Sequence, residues 1–326
     1  MKTEVLSLLR NSRDYISGQQ LCEQFGVSRT AVWKIINQLK EEGYEIDAIT
    51  NKGYKLKSYP DVLSTHEIAS RMQTKWAGKK VFFEEETGST NVDARLFAER
   101  GAEHGSLVVA NIQNGGKGRR GRSWHSSKGC SIAMSMILKP ELETECASMI
   151  TLIQAMATAK AIEEVCGLKA QIKWPNDILV NEKKVCGILT EMNLEMMEIS
   201  SIIVGTGINV NQEVFPEEIA NIATSLKIEK KRTQSRADLI ERICELFEEY
   251  FELFLESKDL SSILEEYNSH LINLGRQVKV LDPQHEFTGE ALGIAKSGEL
   301  LVKKENKEVV KVYAGEVSVR GIYGYV

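Results

Sequence analysis

No two cysteines in this 326-residue chain form a C-x-x-C pair, and no two histidines have the spacing of a helical metal site. The six cysteines (Cys22, Cys130, Cys146, Cys166, Cys186, Cys244) are scattered, and the five histidines (His66, His104, His125, His270, His285) make neither H-E-x-x-H nor H-x-x-H. A zinc site is therefore unsupported, and the thiols read as free side chains in or near a core. Apolar runs long enough to cross a bilayer are also missing. The start, Met1-Lys-Thr-Glu-Val-Leu, lacks the charged-then-apolar layout of a signal peptide, so a cytoplasmic protein without a membrane partner is expected. There is no internal repeat and no low-complexity segment. The length implies two or three domains.

Charge is short on the positive side, at net −5, but unevenly so. Residues 1–60 hold nine Lys/Arg against seven Asp/Glu, a head of +2 on a body of −7. A basic head on an acidic body suits a DNA contact confined to the head.

The head reads as three helices closed by a hairpin. Val5, Leu6, Leu8 and Leu9 start one amphipathic helix, and Leu21 and Phe25 stripe a second over Gly18–Phe25. Gly26 ends it, and Ser28 stands where its hydroxyl can cap a third helix. Val32, Ile36 and Leu39 give that helix its inner face. Its outer face presents Arg29, Thr30, Trp33, Lys34 and Asn37, groups that bond phosphates and base edges. Tyr44–Ile49 and Tyr54–Lys57 alternate as strands around an Asn51-Lys52-Gly53 turn, the hairpin of a winged helix-turn-helix. The DNA-binding set is then Ser28, Arg29, Thr30, Trp33, Lys34, Asn37 and Lys52. A small helical packing domain is the alternative. Tyr59-Pro60-Asp61 reads as a linker.

Residues 64–270 alternate strands and helices irregularly. Strands are expected at Lys80–Glu85, Ser106–Ile112, Cys130–Leu138, Ile172–Trp174, Asp177–Val180, Lys184–Asn193 and Ile199–Ile208. Helices fit Asn91–Glu99, Cys146–Cys166, Ser235–Glu256 and Leu260–His270. Short turns between successive strands predict a mixed, largely antiparallel sheet in an α+β fold. From 273 to 326 short strands (Gln277–Leu281, Glu286–Ala295, Leu300–Lys304, Val309–Tyr313) suggest a small β-barrel.

Two runs in the body carry chemistry. Between Gly115 and Gly129 stand five glycines and five cations (Lys117, Arg119, Arg120, Arg122, Lys128) with no acid. Glycines let a backbone approach a ligand and turn N–H groups to an anion, and arginines supply forked donors. An anionic small ligand is favoured over a basic loop for nucleic acid. In Lys173-Trp174-Pro175-Asn176-Asp177, Pro175 keeps Trp174 extended, and Asn176 and Asp177 lead into a strand. An amide there can read a base edge and a carboxylate can hold Mg²⁺, while plain turn chemistry is the alternative. Lys184, taken alone, is as expected of a solvated turn.

Ser89-Thr90-Asn91, Gln113, Gly116 to Arg122, Trp124, Lys173 to Asp177, Lys184 to Gly187 and Gly205-Thr206-Gly207-Ile208-Asn209 together resemble the biotin protein ligases, of the bacterial kind that also represses the biotin operon. The resemblance covers essentially the whole chain. It departs at Lys117, where the family usually has Arg, so the charge stays and the fork goes. It implies a biotin/lipoate-ligase-type catalytic domain, an SH3-like C-terminal barrel, and an ATP-dependent route through biotinyl-5′-AMP to a lysine of a biotin carboxyl carrier domain, such as that of acetyl-CoA carboxylase. It also implies catalytic Lys184, Arg119 and Arg122, and a biotin site of Ser89, Thr90, Asn91, Gln113, Gly116, Lys117, Gly118, Arg119, Lys184 and Gly187. Arg119, Arg120, Arg122, Trp124, Lys173, Asn176, Asn209 and Arg320 would face ATP, and Asp177 would face Mg²⁺. Operator DNA and a ligand-promoted homodimer complete the expected partners. Lipoate ligases share this fold, but their Arg-Arg-x-Ser-Gly-Gly-Gly run is absent. A repressor that senses ligand without catalysis is the rival from another class.

Overall fold

The computed structural model describes residues 1–195, 198–282, 286–314, 318–321 and 325. By internal contacts it divides into two compact units, Met1–Met72 and Gln73–Val326.

In the first unit, α1 spans Lys2–Asn11, α2 Gly18–Phe25 and α3 Arg29–Glu41. Ser17 and Gln20 close a reciprocal capping box on α2, and the Ser28 hydroxyl accepts from Ala31 N at 3.2 Å, which starts α3 where the sequence predicted. Val32, Ile35, Ile36 and Leu39 bury one stripe of α3 against Leu6, Leu9 and Leu21. The hairpin of β1 (Glu45–Ile49) and β2 (Gly53–Ser58) follows. The short helix α4, Thr65–Ala69, was not anticipated. Its Glu67 is fully buried and takes an ion pair from Arg10 at 2.8 Å, another from Arg71 at 2.7 Å and the Tyr44 hydroxyl at 2.5 Å. Arg10 and Arg71 also flank the Tyr59 ring, at 4.7 and 4.5 Å from its centre. The stretch expected to be a linker thus lies inside this unit.

In the second unit β3 (Val81–Thr87), α5 (Thr90–Glu99) and β4 (Leu107–Gln113) form a parallel crossover. A hairpin of two-residue strands, β5 (Gly116–Lys117) and β6 (Ser123–Trp124), folds the basic loop. Then come β7 (Ser131–Leu138), α6 (Ala147–Cys166), β8 (Gln171–Lys173), β9 (Asp177–Val180), β10 (Lys183–Glu195) and β11 (Glu198–Asn209). The seven-stranded sheet runs β3-β4-β7-β11-β10-β9-β8, antiparallel except for β3–β4. It is the mixed, largely antiparallel sheet expected. The helix α6 is apolar nearly all round because it is buried between this sheet and α8 (Arg236–Ser257). A short α7, Leu226–Lys230, precedes α8, and α9 covers Leu264–His270, starting later than expected because residues 260–263 form turns.

The C-terminal part is an antiparallel sheet of five strands, β12 (Gln277–Leu281), β13 (Phe287–Ile294), β14 (Leu300–Lys303), β15 (Val309–Val312) and β16 (Ser318–Gly321), in the order β15-β14-β13-β12-β16. The sequence reading missed β16. The turn expected at Asp282-Pro283 runs into residues outside the described ones. Trp174 ties this sheet to the larger one: its backbone N–H donates to Asn273 Oδ1 and its indole to Gly298 O, both at 3.0 Å.

Candidate functional site

A cavity of about 260 Å³ opens over the β7–β11–β10–β9 part of the large sheet. Of the residues expected to meet a small ligand, only Gly116 is missing from its wall; it lies behind Gln113, 2.7 Å from Nε2 at the place a Cβ would occupy.

One end of the cavity is built from neutral polar groups. The Gln113 side-chain carbonyl at the end of β4 accepts from Thr90 N at 2.9 Å and Thr90 Oγ1 at 3.1 Å. Ser135 on β7 bridges Thr90 and Asn91 at 2.8 and 2.6 Å. Asn91 donates onward to Glu191 at 2.7 Å and to Leu189 O at 3.3 Å. Ser89 occupies the N-cap position of α5 but its hydroxyl makes no cap bond, so it is available to a ligand. Asn91 is the scaffold here: its Oδ1 sits 2.1 Å from where a Cβ on Gly205 would stand, so β11 must be bare at that point.

The middle is a slab. Trp124 lies across β11 so closely that a Cβ on Gly207 would come 2.5 Å from its indole. Its indole nitrogen and the Thr206 hydroxyl are buried without a protein partner. These are polar groups that a ligand would satisfy.

The other end is charged. Seven cations, Lys117, Arg119, Arg120, Arg122, Lys173, Lys184 and Arg320, meet a single carboxylate, Asp177, among the described wall residues. The β9–β10 register puts Asp177 opposite Gly187, with an irregularity between Lys184 and Cys186. With no side chain on Gly187, Lys184 reaches across to Asp177 Oδ1 at 2.5 Å. Tyr325 donates its hydroxyl to Asp177 Oδ2, and the Lys173 ammonium stands 3.3 Å from the centre of the Tyr325 ring. Arg119 donates to Asn176 Oδ1 at 3.2 Å and to the Ala314 carbonyl, while Asn176 donates to Ile188 O at 3.0 Å. Asn209 also reaches the wall, but its amide is used on Thr224 O at 3.2 Å and Gln212 at 3.1 Å.

Burial first, and neighbouring charge second, set the ionisation of this end. Burial, reinforced by Lys184, Arg320 and Arg122 and opposed by Asp177, pushes the Lys173 ammonium down from its ordinary 10.5 to about 8. Burial likewise lowers Arg119, against the pull of Asp177. Burial drives the Asp177 carboxyl up, yet Lys184, Tyr325 and Lys173 together hold it below the usual carboxylate range. Burial and the Asp177 charge keep the Tyr325 phenol protonated well past its ordinary range. One carboxylate among cations fits a Mg²⁺ that arrives on a ligand's phosphate oxygens. Among the described residues no three His, Cys, Asp or Glu side chains form a metal cage.

Tyr325 gave no signal in the sequence, nor did Phe215, Ile219 and Ile222, which line the wall from a turn-rich stretch between β11 and α7. On the first unit, Arg29, Thr30, Lys34 and Lys52 are exposed, Asn37 is half-buried, and Trp33 is 56% exposed. The Ser28 hydroxyl is engaged in its cap, and Arg29 donates to Gln19 at 3.1 Å. Lys52 stands 5.5 Å above the Tyr15 ring.

The chain is similar to known proteins. Residues 85–209 match the Biotin/lipoate A/B protein ligase family, residues 2–55 an HTH domain, and residues 274–320 the Biotin protein ligase C terminal domain. The chain is 39% identical over 306 residues to the bifunctional ligase/repressor BirA of Bacillus subtilis (strain 168), covering 93% of this chain and 94% of that one. To the Escherichia coli (strain K12) protein of the same name it is 28% identical, covering 97% and 96% of the two chains. A solved biotin protein ligase from Aquifex aeolicus, in complex with biotin and ATP, superposes with a TM-score of 0.66 at 30% identity, over 74% of this chain and 99% of that one.

Proposed function

This chain belongs to the biotin protein ligase family, and on that premise we propose that it joins biotin to a carrier lysine and represses transcription in response to the intermediate. The observation that carries the ligase half is one cavity with neutral hydroxyl and amide groups at one end and seven cations about a lone carboxylate at the other. A ligand that is part neutral ring and part anion fits that polarity. Biotin's ureido ring would take Ser89, Thr90 and Gln113, positioned by Asn91 and Gly116, and its carboxylate would lie toward Gly187 and Lys184.

In the first step a carboxylate oxygen bonds to the α-phosphorus of ATP as the bond to pyrophosphate breaks. No proton moves, so the work is positioning and charge stabilisation. Lys184, Arg119 and Arg122 would meet the reacting carboxylate and phosphate, and Lys173 and Arg120 the leaving pyrophosphate. Lys117 and Gly118 would close over biotin. Trp124, Asn176, Asn209 and Arg320 would form the nucleotide side. Mg²⁺, when bound, would be held by Asp177 and would neutralise phosphate charge. In the second step the neutral amine of the carrier lysine bonds to the acyl carbon as the carbon–oxygen bond to AMP breaks, and the nitrogen gives up a proton to water. The acceptor is a biotin carboxyl carrier domain, and the reaction runs in the cytoplasm. Pyrophosphate release that requires biotin, with lipoate unable to replace it, is the expected result. Lipoate serving equally well would overturn the assignment.

The division of labour follows residues 1–60 for DNA, 64–270 for ligation and 273–326 as an SH3-like accessory part. One helix-turn-helix neutralises few phosphates, and a chain of net −5 repels DNA elsewhere. Two copies on a two-fold axis would read paired half-sites. Biotinyl-5′-AMP would favour the homodimer and thereby DNA, and DNA must then favour adenylate retention by the same factor. Titrating upstream operon DNA with and without biotin plus ATP, beside sedimentation, tests this. Equal affinity in both conditions would remove the regulatory half alone.

A further inference from the structure

We propose that Tyr325 is a positioning residue of the ligase site: its hydroxyl fixes Asp177 and its ring supports Lys173. The proposal rests on the ligase reading and names a residue that no motif in that reading contains.

The geometry is two-sided. Asp177 has one oxygen toward Lys184 at 2.5 Å and presents the other to the Tyr325 hydroxyl. Tyr325 therefore settles which way the carboxylate turns, and so where the Lys184 ammonium can stand. On its other side the ring meets Lys173 Nζ, 3.3 Å from its centre. Lys173 is 5% exposed and faces Asp177 across the β8–β9 pairing, with Arg122, Arg320 and Lys184 as like-charged neighbours. A buried ammonium surrounded by cations gains from the negative face of an aromatic ring, and gains most where water is excluded. Tyr325 thus meets Lys173 directly and Lys184 through Asp177.

The test uses the full chain with Tyr325→Phe and Tyr325→Ala. Binding of ATP, and separately of inorganic pyrophosphate, each without added Mg²⁺, is followed by calorimetry, and pyrophosphate release is measured with ATP varied. Tyr325→Ala is expected to weaken ATP and pyrophosphate about tenfold through the lost ring contact. Tyr325→Phe keeps the ring and should hold ATP within about twofold, while kcat falls about tenfold because Asp177 has lost a charge-assisted hydrogen bond. Biotin, which meets this end only through its carboxylate, should lose less affinity than ATP in both. Wild-type ATP affinity and kcat in both variants would overturn the proposal, and so would tighter ATP binding by Tyr325→Ala, which would make the tail an obstruction. Biotin and ATP binding weakened equally, together with a lowered melting temperature, would also overturn it, as a purely structural role. If the wild-type chain releases no pyrophosphate with biotin, the ligase reading fails, and the calorimetry still decides whether Tyr325 positions the lysines for phosphate.

Discussion

Glu67 in the first unit and Asp177 in the second are built from the same parts. Each carboxylate accepts a tyrosine hydroxyl, from Tyr44 or Tyr325, and each lies between two basic side chains. The differences are the kind of base and the access. Glu67 is sealed and held by two arginines, whose planar forks meet its oxygens in fixed geometry. Asp177 lines an open cavity and is held by lysines, which are single-point donors on flexible stems and shift their pKa readily. The first set can do nothing but hold the segment 59–71 to the helices. The second can release its cations to an incoming anion.

Breaking the sealed cluster should cost most. Glu67→Ala removes the buried carboxylate that Arg10 and Arg71 share and is expected to destabilise the first unit by about 3–5 kcal/mol. Biotin-dependent pyrophosphate release should survive below that unit's melting transition. A denaturation curve like that of wild type would mean that the cluster is not a staple.

Lys184→Ala acts on the open cluster and should leave the fold intact. Adenylate formation should slow by about 2–4 kcal/mol in activation energy, because the lost contact matters most as charge develops on phosphate. Pyrophosphate release at an unchanged rate would take Lys184 out of the mechanism.

Lys173 sharpens the contrast through pH. Its folded pKa of about 8 lies below its ordinary 10.5, so between those values the unfolded chain holds more protons and stability rises with pH. Bound phosphate favours the charged ammonium, so ATP binding in that window should take up as much as about one proton and weaken as pH climbs. Calorimetry in two buffers of different ionisation enthalpy measures the uptake. None at pH 9 would contradict the buried, cation-crowded environment described.

Lys117→Arg should do least. It restores a fork at an exposed position, and a change beyond about 0.5 kcal/mol in ATP or biotin binding would show that the fork matters there.

These two clusters also mark what could be read in the sequence. The capping residues and stripes of α2 and α3 are local signals, and the structure repeats the expected Gly18–Phe25 bounds. The run Gly115–Gly129 stood out by its glycines and cations and Lys173–Asp177 by its proline and Asn-Asp turn, and the fold brings Lys117, Arg119, Arg120, Arg122 and Lys173–Asp177 together with Lys184 in one cavity. Glu67 was invisible because a charged residue in a five-residue helix looks like surface until its arginines arrive from elsewhere in the chain. Tyr325 was invisible for the same reason over a longer span, since only tertiary closure sets it beside Asp177. The two-residue strands β5 and β6 are too short for any period to register.

The bonds from Trp174 to Asn273 and Gly298 carry a consequence for anyone who would trim this protein. The residue is 1% exposed, and both its backbone N–H and its indole N–H are satisfied only from beyond residue 272. A chain ending there would remove both acceptors and uncover the Trp174 indole directly beside Lys173 and Asn176. It would also lose the Ala314 carbonyl that receives Arg119. The five-stranded sheet is therefore a part of the ligand cavity's wiring that merely comes late in the chain, and shortened versions would report on a damaged cavity rather than on a missing module.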